Sequence, residues 1–331
     1  MNYKYTFFVP AYKTEYFEVA LRSIVEQTFR DFMVIVSDDC SPMPLFAIFE
    51  KVKSDYKHVL KDGQLVYKRN KKNIGGANLV QHWNSLLDSC DTDYLIMASD
   101  DDVYAPLFLE EIDRLISRYP NCNLYCSKVK RINENGIVTA QDAPTLEFEK
   151  QIDFLYGLYV LHRLKCIGNY VFKTKPLKDK GGFLDFPYAW GSDDLTVSLM
   201  SDNGICITKD NLFSFRLSGK NISCKNNSII NSQKVKARMQ NLEYFETFVH
   251  NISTNGSLLE KNRLVSYIDF YRKEWTHSIF DGAEFLSYRE MKDCYRWLEH
   301  HQAFNGSLSK IHFVWTWLRA IKIRKQQWKK V

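Results

Sequence analysis

Seven aspartates fall into three short runs, each at the end or start of an apolar segment able to hold it in place. Asp100, Asp101 and Asp102 follow closely on the apolar run Tyr94–Met97. Three adjacent carboxylates repel one another, so stability does not explain them. Hard oxygen donors of this kind suit Mg2+ or Mn2+, which take one or two carboxylates and complete their shell with substrate phosphates. The other reading is a solvated acidic turn capping the next helix, because acids favour helix N-termini. Asp38 and Asp39 close the run Phe32–Val36 in the same way. A carboxylate there can accept from a nucleobase N–H or a ribose hydroxyl, or form an Asx turn before Ser41-Pro42. Asp193 and Asp194 open a helical pattern after Trp190-Gly-Ser192. One of the two can cap the helix. The other can serve as a general base toward a hydroxyl within hydrogen-bond reach.

The elements that must carry these acids alternate between strand and helix. The spacing predicts a strand over Tyr5–Val9 stopped by Pro10, then a helix capped by Thr14 with Phe17, Leu21, Ile24 and Val25 on one face. Phe32–Val36 is a strand buried on both faces. A helix over Leu45–Val52 and a strand over Leu65–Lys68 follow. The polar turn Asn70–Asn78 then leads into a helix carrying Leu79, Val80, Trp83, Leu86 and Leu87. Tyr94–Met97 is the next buried strand, and Pro106 suits the first turn of a helix over Leu107–Tyr119. This rhythm reads as a parallel sheet with helices on both faces. Ligands of such sheets bind beyond the carboxyl ends of the strands, where all three acid runs are expected. Past residue 120 the pattern mixes: Leu124–Ile132 alternates as one strand, 152–163 and 193–202 read as helix, and 166–173 reads as strand. From about 228 nearly everything is helical, with breaks at Ser253–Gly256 and Asn305–Gly306.

The ordered motifs resemble the family 2 glycosyltransferases of the inverting GT-A type found in bacterial surface-polysaccharide synthesis. Phe8-Val-Pro-Ala-Tyr12 resembles the family's opening strand, and Ala20–Phe29 its first helix. Val36–Ser41 resembles the "DDxS" motif, Asn73-Ile-Gly-Gly76 the loop flanking the donor, and Ser99–Pro106 the "DxD" metal region. Ser192–Leu195 stands at the family's "ED", while Phe213–Ser218 with Asn221 and Ser223 resembles the end of the catalytic domain. The resemblance covers roughly residues 4–224. It implies an α/β fold: a Rossmann-like, mostly parallel sheet with helices on both faces, plus a helical C-terminal extension. It also implies Mn2+ or Mg2+ and a nucleotide-sugar donor, most often of uracil. Pro10, Ala11 and Tyr12 would line the nucleoside pocket, with Asp38, Asn73, Gly75 and Gly76 around it. Asp39 would bind the base and Asp100 would lie near the ribose. Asp101 would be the principal metal ligand with Asp102 beside it. Asp194 would be the catalytic base, with Asp193 in the place of the Glu. Ser99 stands where the first acid of "DxD" is usual, and Ser218 about where many members have His.

At 331 residues, 45% of them apolar, the chain supports a large domain plus an extension. We read residues 1–224 as the catalytic domain, with a nucleotide-sugar half to about 120 and an acceptor half from 121, and 225–331 as the extension. The net charge of +6 is concentrated at the end, where the stretch from Arg319 onward holds six Lys or Arg and no acid. In 311–331 the residues Trp315, Leu318, Ile321 and Trp328 are expected to share a helical face. Trp beside Lys and Arg fits an anionic membrane surface; the other reading is a terminal helix packed on the catalytic domain. No apolar stretch reaches the length of a membrane span. The eight scattered cysteines fit reduced, mostly buried thiols. The expected place is the cytoplasm, with peripheral attachment to the inner face of the cell membrane, and the expected acceptor is a glycan or lipid-linked glycan. A nucleic-acid partner is not expected, since the acidic sheet edge would repel phosphate without metal. Three readings compete. A sugar nucleotidyltransferase usually opens with a Gly-rich loop that Val9–Tyr12 lacks. A glycoside hydrolase would need two carboxylates and no nucleotide. A non-catalytic lipid or nucleic-acid binder would act through the tail alone.

Overall fold

In the computed structural model the described residues are 3–328, apart from 77, 220, 222, 223, 225, 226, 254–256, 283, 284 and 302–306. Ser223 and the turns expected around 254–256 and 305–306 therefore lie outside the described residues. The first half runs β1 (Tyr5–Ala11), α1 (Phe17–Val25), β2 (Phe32–Asp38), α2 (Leu45–Asp55), β3 (Leu65–Arg69), α3 (Leu79–Asp88), β4 (Tyr94–Met97), β5 (Val103–Tyr104) and α4 (Phe108–Arg118). It continues with β6 (Leu124–Cys126), β7 (Val129–Ile132), β8 (Val138–Gln141), β9 (Phe148–Glu149), α5 (Gln151–Tyr159), β10 (Tyr170–Lys173), α6 (Thr174–Asp179), α7 (Ser192–Met200), β11 (Ile205–Ile207) and β12 (Phe213–Arg216). Four helices follow: α8 (Ser228–Ser253), α9 (Leu258–Gly282), α10 (Tyr288–His300) and α11 (Ser307–Trp328).

The main sheet has the order β3-β2-β1-β4-β10-β6-β11-β9. Its first four strands are parallel, and β10 enters antiparallel to both neighbours. A second sheet runs β5-β12-β7-β8. Tyr5, Phe7 and Val9 face a core shared with Phe17, Leu21 and Ile24 of α1, Phe49 of α2 and Phe108 and Ile112 of α4. Phe8, Ile35, Leu95 and Met97, of the other parity, are as deeply buried and so belong to the opposite face. This explains why the strands read as unbroken apolar runs.

Three local expectations change. Pro10 does not stop β1, which pairs with β2 through Pro10 and Ala11. Pairing with β4 ends at Phe8 opposite Met97. The Phe8 carbonyl faces β4, accepting from Ala98, and that of Ala11 faces β2, accepting from Asp39. By alternation Pro10 turns toward the side β4 has already left, where a missing N–H costs no ladder bond. The cap expected from Thr14 is also absent: α1 starts after Tyr16 with no side-chain cap. Finally, the stretch 124–132 is two strands in different sheets. The chain changes sheet at Ser127, whose hydroxyl accepts from the backbone N–H of Leu212 at 2.9 Å.

Two compact units make up the chain: Met1–Asp185 with Ser192–Asn221, and Phe186–Gly191 with Ile222–Val331. The second has its own core of Val235, Ile279, Leu286, Met291, Cys294, Leu298, Phe313 and Trp317. The Trp317 indole donates to the Leu286 carbonyl at 3.1 Å. Ile321 packs against this core, whereas Trp315 and Leu318 are exposed, so the face expected to hold all three is divided. The Trp328 side chain lies outside the described residues. The chain has no disulfide among its eight cysteines.

Phe7 touches Phe32, Tyr104 and Phe108 and has no exposed surface. Phe7→Ala should lower the unfolding free energy of the first unit by about 3–5 kcal/mol, measured by urea denaturation.

Candidate active site

Beyond the last paired residues of β1 and β4 the two strands part, and the acidic turn fills the gap. The Asp100 carboxylate accepts from the backbone N–H groups of Tyr12 at 2.9 Å and Lys13 at 2.8 Å through one oxygen, Oδ2. Asp102 is held by three neutral donors. Its Oδ2 accepts from the Ser99 hydroxyl at 2.6 Å and the Cys166 thiol at 3.4 Å, and its Oδ1 from the Arg216 backbone N–H at 2.8 Å. Arg216 also donates through Nε to the Asp101 carbonyl at 2.9 Å and stacks on Tyr16. The side chain of Asp101 meets Lys13, whose Nζ lies 2.6 Å from Oδ2 and 3.3 Å from Asp100 Oδ1.

Asp100, Asp101 and Asp102 are only 6%, 5% and 1% exposed. Burial raises the Asp100 carboxyl above its ordinary value. Burial, reinforced by the charge of Asp101, pushes Asp102 up to about 7. For Lys13 burial acts downward, but the carboxylates of Asp100 and Asp101 outweigh it and the ammonium is strengthened.

Among the described residues no three His, Cys, Asp or Glu side chains converge as a ready metal cluster. Asp100 and Asp101 instead share the Lys13 ammonium, and Asp102 turns to Ser99, Cys166 and Arg216. The donor chemistry still fits a hard divalent cation, because Asp101 presents oxygen toward a positive charge and an ammonium stands there. One carboxylate suffices for Mg2+-type binding when substrate phosphates supply the rest.

The second acid run organises the neighbouring loop. Asp39 Oδ1 accepts from Asn70 Nδ2 at 2.8 Å and the Ile74 N–H at 2.9 Å, and Oδ2 from the Gly75 N–H at 2.7 Å. Asn73 donates to the Asp39 carbonyl at 3.1 Å and accepts from the Gly76 N–H at 2.6 Å. A Cβ on Gly76 would come 2.0 Å from Asn73 Oδ1, and one on Gly75 would come 3.1 Å from Asp39 Oδ2. The glycines therefore allow the loop to close on the acid. Beneath it His82, whose imidazolium is disfavoured by burial, shares a 2.8 Å hydrogen bond with Ser37. Asp38 accepts from the Ser41 N–H at 2.7 Å and from Tyr67 and Arg69. Tyr12 remains exposed at the rim, while Ala11 is buried and Pro10 half-buried.

The third run opens α7. Asp194 Oδ2 pairs with Lys165 Nζ at 2.6 Å, and Asp193 Oδ1 accepts from the Asp194 N–H at 3.0 Å. Burial and the Asp194 charge push Asp193 up to about 7 against the pull of Lys165. Cys166 joins the two clusters: its thiol donates to Asp102 and its ionisation is opposed by burial and then by the charges of Asp102 and Asp193. Lys13, Lys165, Cys166 and Arg216 are the side chains that sequence reasoning missed. Arg216 lay inside the quoted Phe213–Ser218 stretch, and Lys13 directly follows Pro10–Tyr12; Lys165 and Cys166 carried no spacing signal.

A family model described as glycosyl transferase family 2 matches residues 6–176, just over half of the chain. The chain belongs to glycosyl transferase family 2. Of the three readings that compete with a glycosyltransferase, none is what this family does. No curated protein matches the sequence. Among solved structures, residues 1–349 of S. aureus TarS in complex with UDP-GlcNAc are 17% identical with a TM-score of 0.64, covering 98% of this chain and 92% of that one. The mannosyltransferase PcManGT from Pyrobaculum calidifontis, in complex with GDP-Man and Mn2+, is 12% identical with a TM-score of 0.53, covering 97% and 88%. At these identities the likeness shows the fold: the glycosyltransferase is of the mixed α/β GT-A type, with a mostly parallel central sheet and a helical C-terminal region.

The Asp193 carboxyl holds its proton more tightly folded than unfolded. Its contribution to stability is therefore complete below the ordinary value of 3.8 and is lost as pH rises through about 7. Asp193→Asn should melt higher than wild type at about pH 8, with the advantage fading toward about pH 4. A melting-temperature difference that stays constant across that range would disprove the assignment.

Proposed function

We propose that the chain transfers a sugar from a nucleoside diphosphate, most simply a UDP-sugar, to an acceptor hydroxyl with inversion at the anomeric carbon. The carrying observation is the buried acidic turn after β4, where Asp101 presents a carboxylate oxygen to a positive charge, in a chain of glycosyl transferase family 2. TarS with bound UDP-GlcNAc supports the choice of donor by its fold alone. In this reading the halves of the first unit divide at about residue 120 into donor and acceptor sides, and 225–331 is an extension.

Pro10, Ala11 and Tyr12 line the nucleoside site. Asp39 keeps the Asn73–Gly76 loop closed and offers its remaining acceptor capacity to the base. Asp100 lies toward the ribose. Asp101 is the residue to hold Mn2+ or Mg2+, while Asp102, engaged by Ser99, Cys166 and Arg216, orients the turn beside it. When bound, the cation would neutralise charge on the departing diphosphate. The acceptor oxygen attacks C1, the C1–O bond to the diphosphate breaks with its electron pair leaving on that oxygen, and Asp194 takes the acceptor proton. One displacement inverts the centre. Lys165, whose Nζ lies 2.6 Å from Oδ2, holds the Asp194 carboxylate in place.

Melting curves with UDP, GDP, CDP and dTDP, each with and without Mn2+, test this directly, since a ligand of the native state raises the melting temperature by mass action. One nucleotide should give a Mn2+-dependent rise that Asp101→Asn loses. Asp194→Asn should keep that rise while turnover falls by at least about 10²-fold, the usual worth of a general base. The absence of a shift with every nucleotide would overturn the reading.

We propose further that α11 rests on an anionic lipid surface, consistent with a lipid-linked glycan acceptor. Ile311, Trp315 and Leu318 are exposed at helical spacing, and Arg319 stacks on Trp315 at 5.5 Å. No helix among the described residues is long and apolar enough to cross a membrane. The protein should sediment with phosphatidylglycerol vesicles, weakly in high salt, and not with phosphatidylcholine alone. Trp315→Ala with Leu318→Ala should abolish the effect; retention by the double variant would refute it.

A further inference from the structure

Lys13 is placed by its backbone as much as by its charge. Its N–H is fixed on Asp100 Oδ2 at 2.8 Å, which anchors the main chain. The side chain crosses the mouth of the acidic turn, with its ammonium 2.6 Å from Asp101 and 3.3 Å from the other oxygen of Asp100. Among the described residues no other Lys, Arg or His pairs with Asp100, Asp101 or Asp102. The remaining donors to these carboxylates are neutral: a hydroxyl, a thiol and backbone N–H groups. The Lys13 side chain is 30% exposed against 7% for that of Asp101, so it is the more accessible member of the pair.

We propose that Lys13 is the resident counter-ion of Asp101, excluding a divalent cation until a nucleoside diphosphate draws the ammonium away. This rests on the donor site proposed above. A divalent cation arriving alone must displace an ammonium that is always present and leave it with no partner. A cation arriving with a diphosphate meets no such cost, because the phosphates accept the released ammonium. Metal and nucleotide then favour each other's binding, and thermodynamic linkage makes the effect equal in both directions. Lys13 is a positioning residue in this account and sets the order in which the site fills.

The test measures free Mn2+ by electron paramagnetic resonance with the full chain, with no substrate turnover. Wild type should bind Mn2+ weakly alone and at least about tenfold more tightly with UDP or GDP, within the ordinary range of coupling between sites. Lys13→Met should bind Mn2+ without nucleotide at least about tenfold more tightly than wild type, while Lys13→Arg should behave as wild type. An Mn2+ affinity in Lys13→Met equal to that of wild type would overturn the inference. Removing the ammonium leaves buried carboxylates without a cation, so Lys13→Gln, which keeps a neutral donor, is measured alongside. Should both variants fold only with Mn2+ present, that rescue also supports the inference. Should neither fold under any condition, wild type decides: a tight Mn2+ site indifferent to nucleotides that do bind overturns it. Failure of the donor reading is separate, since melting curves would then show no nucleotide binding while the Mn2+ affinities of wild type and Lys13→Met still differ.

Discussion

The site depends on carboxylates buried at the ends of the strands and held by backbone N–H groups of the segments around them. Asp100 takes the amides that follow β1, Asp39 those of the Gly75 loop, Asp38 that of Ser41, and Asp102 that of Arg216. Hydrogen bonds to a charged acceptor are stronger than those between neutral groups, and leaving a buried charge without them is severe. Each acid therefore fixes a loop as well as offering chemistry. The gap that admits them exists because β1 outruns β4, and Pro10 is tolerated there for the same reason. A single feature of register thus sets the strand end, the proline and the place of the acidic turn.

Concentrating like charges works against folding. Asp102 and Asp193 are both pushed to about 7, burial being the larger cause for each and a neighbouring carboxylate the next. Groups so perturbed cluster at functional sites because the strain is useful there. The surrounding sheet tolerates it through a core that includes Phe7, Val34, Ile96 and Phe108, none of them exposed.

What the sequence made legible follows from the range of the interactions. The strands β1, β2 and β4 are nearly continuous apolar runs, and the helices between them repeat at helical spacing, so local pattern suffices. The acid runs stand out because adjacent carboxylates repel one another and so are rarely placed together without a use. By contrast Lys13, Lys165, Cys166 and Arg216 reach their partners across the fold, Arg216 meeting Asp102 from 114 residues away. No local pattern encodes that. The stretch 124–132 alternates without a break across the point where the chain changes sheet, so local pattern merges two strands into one. In α11 both faces are apolar, so periodicity alone could not say that Phe313 and Trp317 would be buried and Trp315 and Leu318 exposed.

The two acid clusters share one design. In each an ammonium is paired, Lys13 with Asp101 and more distantly Asp100, Lys165 with Asp194, and one adjacent carboxyl is left to neutral donors. That adjacent group, Asp102 in one case and Asp193 in the other, is the one pushed up to about 7. Both act on the single Cys166 thiol, which is uncharged and so transmits no charge of its own between them. In each cluster the paired ammonium and the raised neighbouring carboxyl together limit the negative charge that the fold must bury.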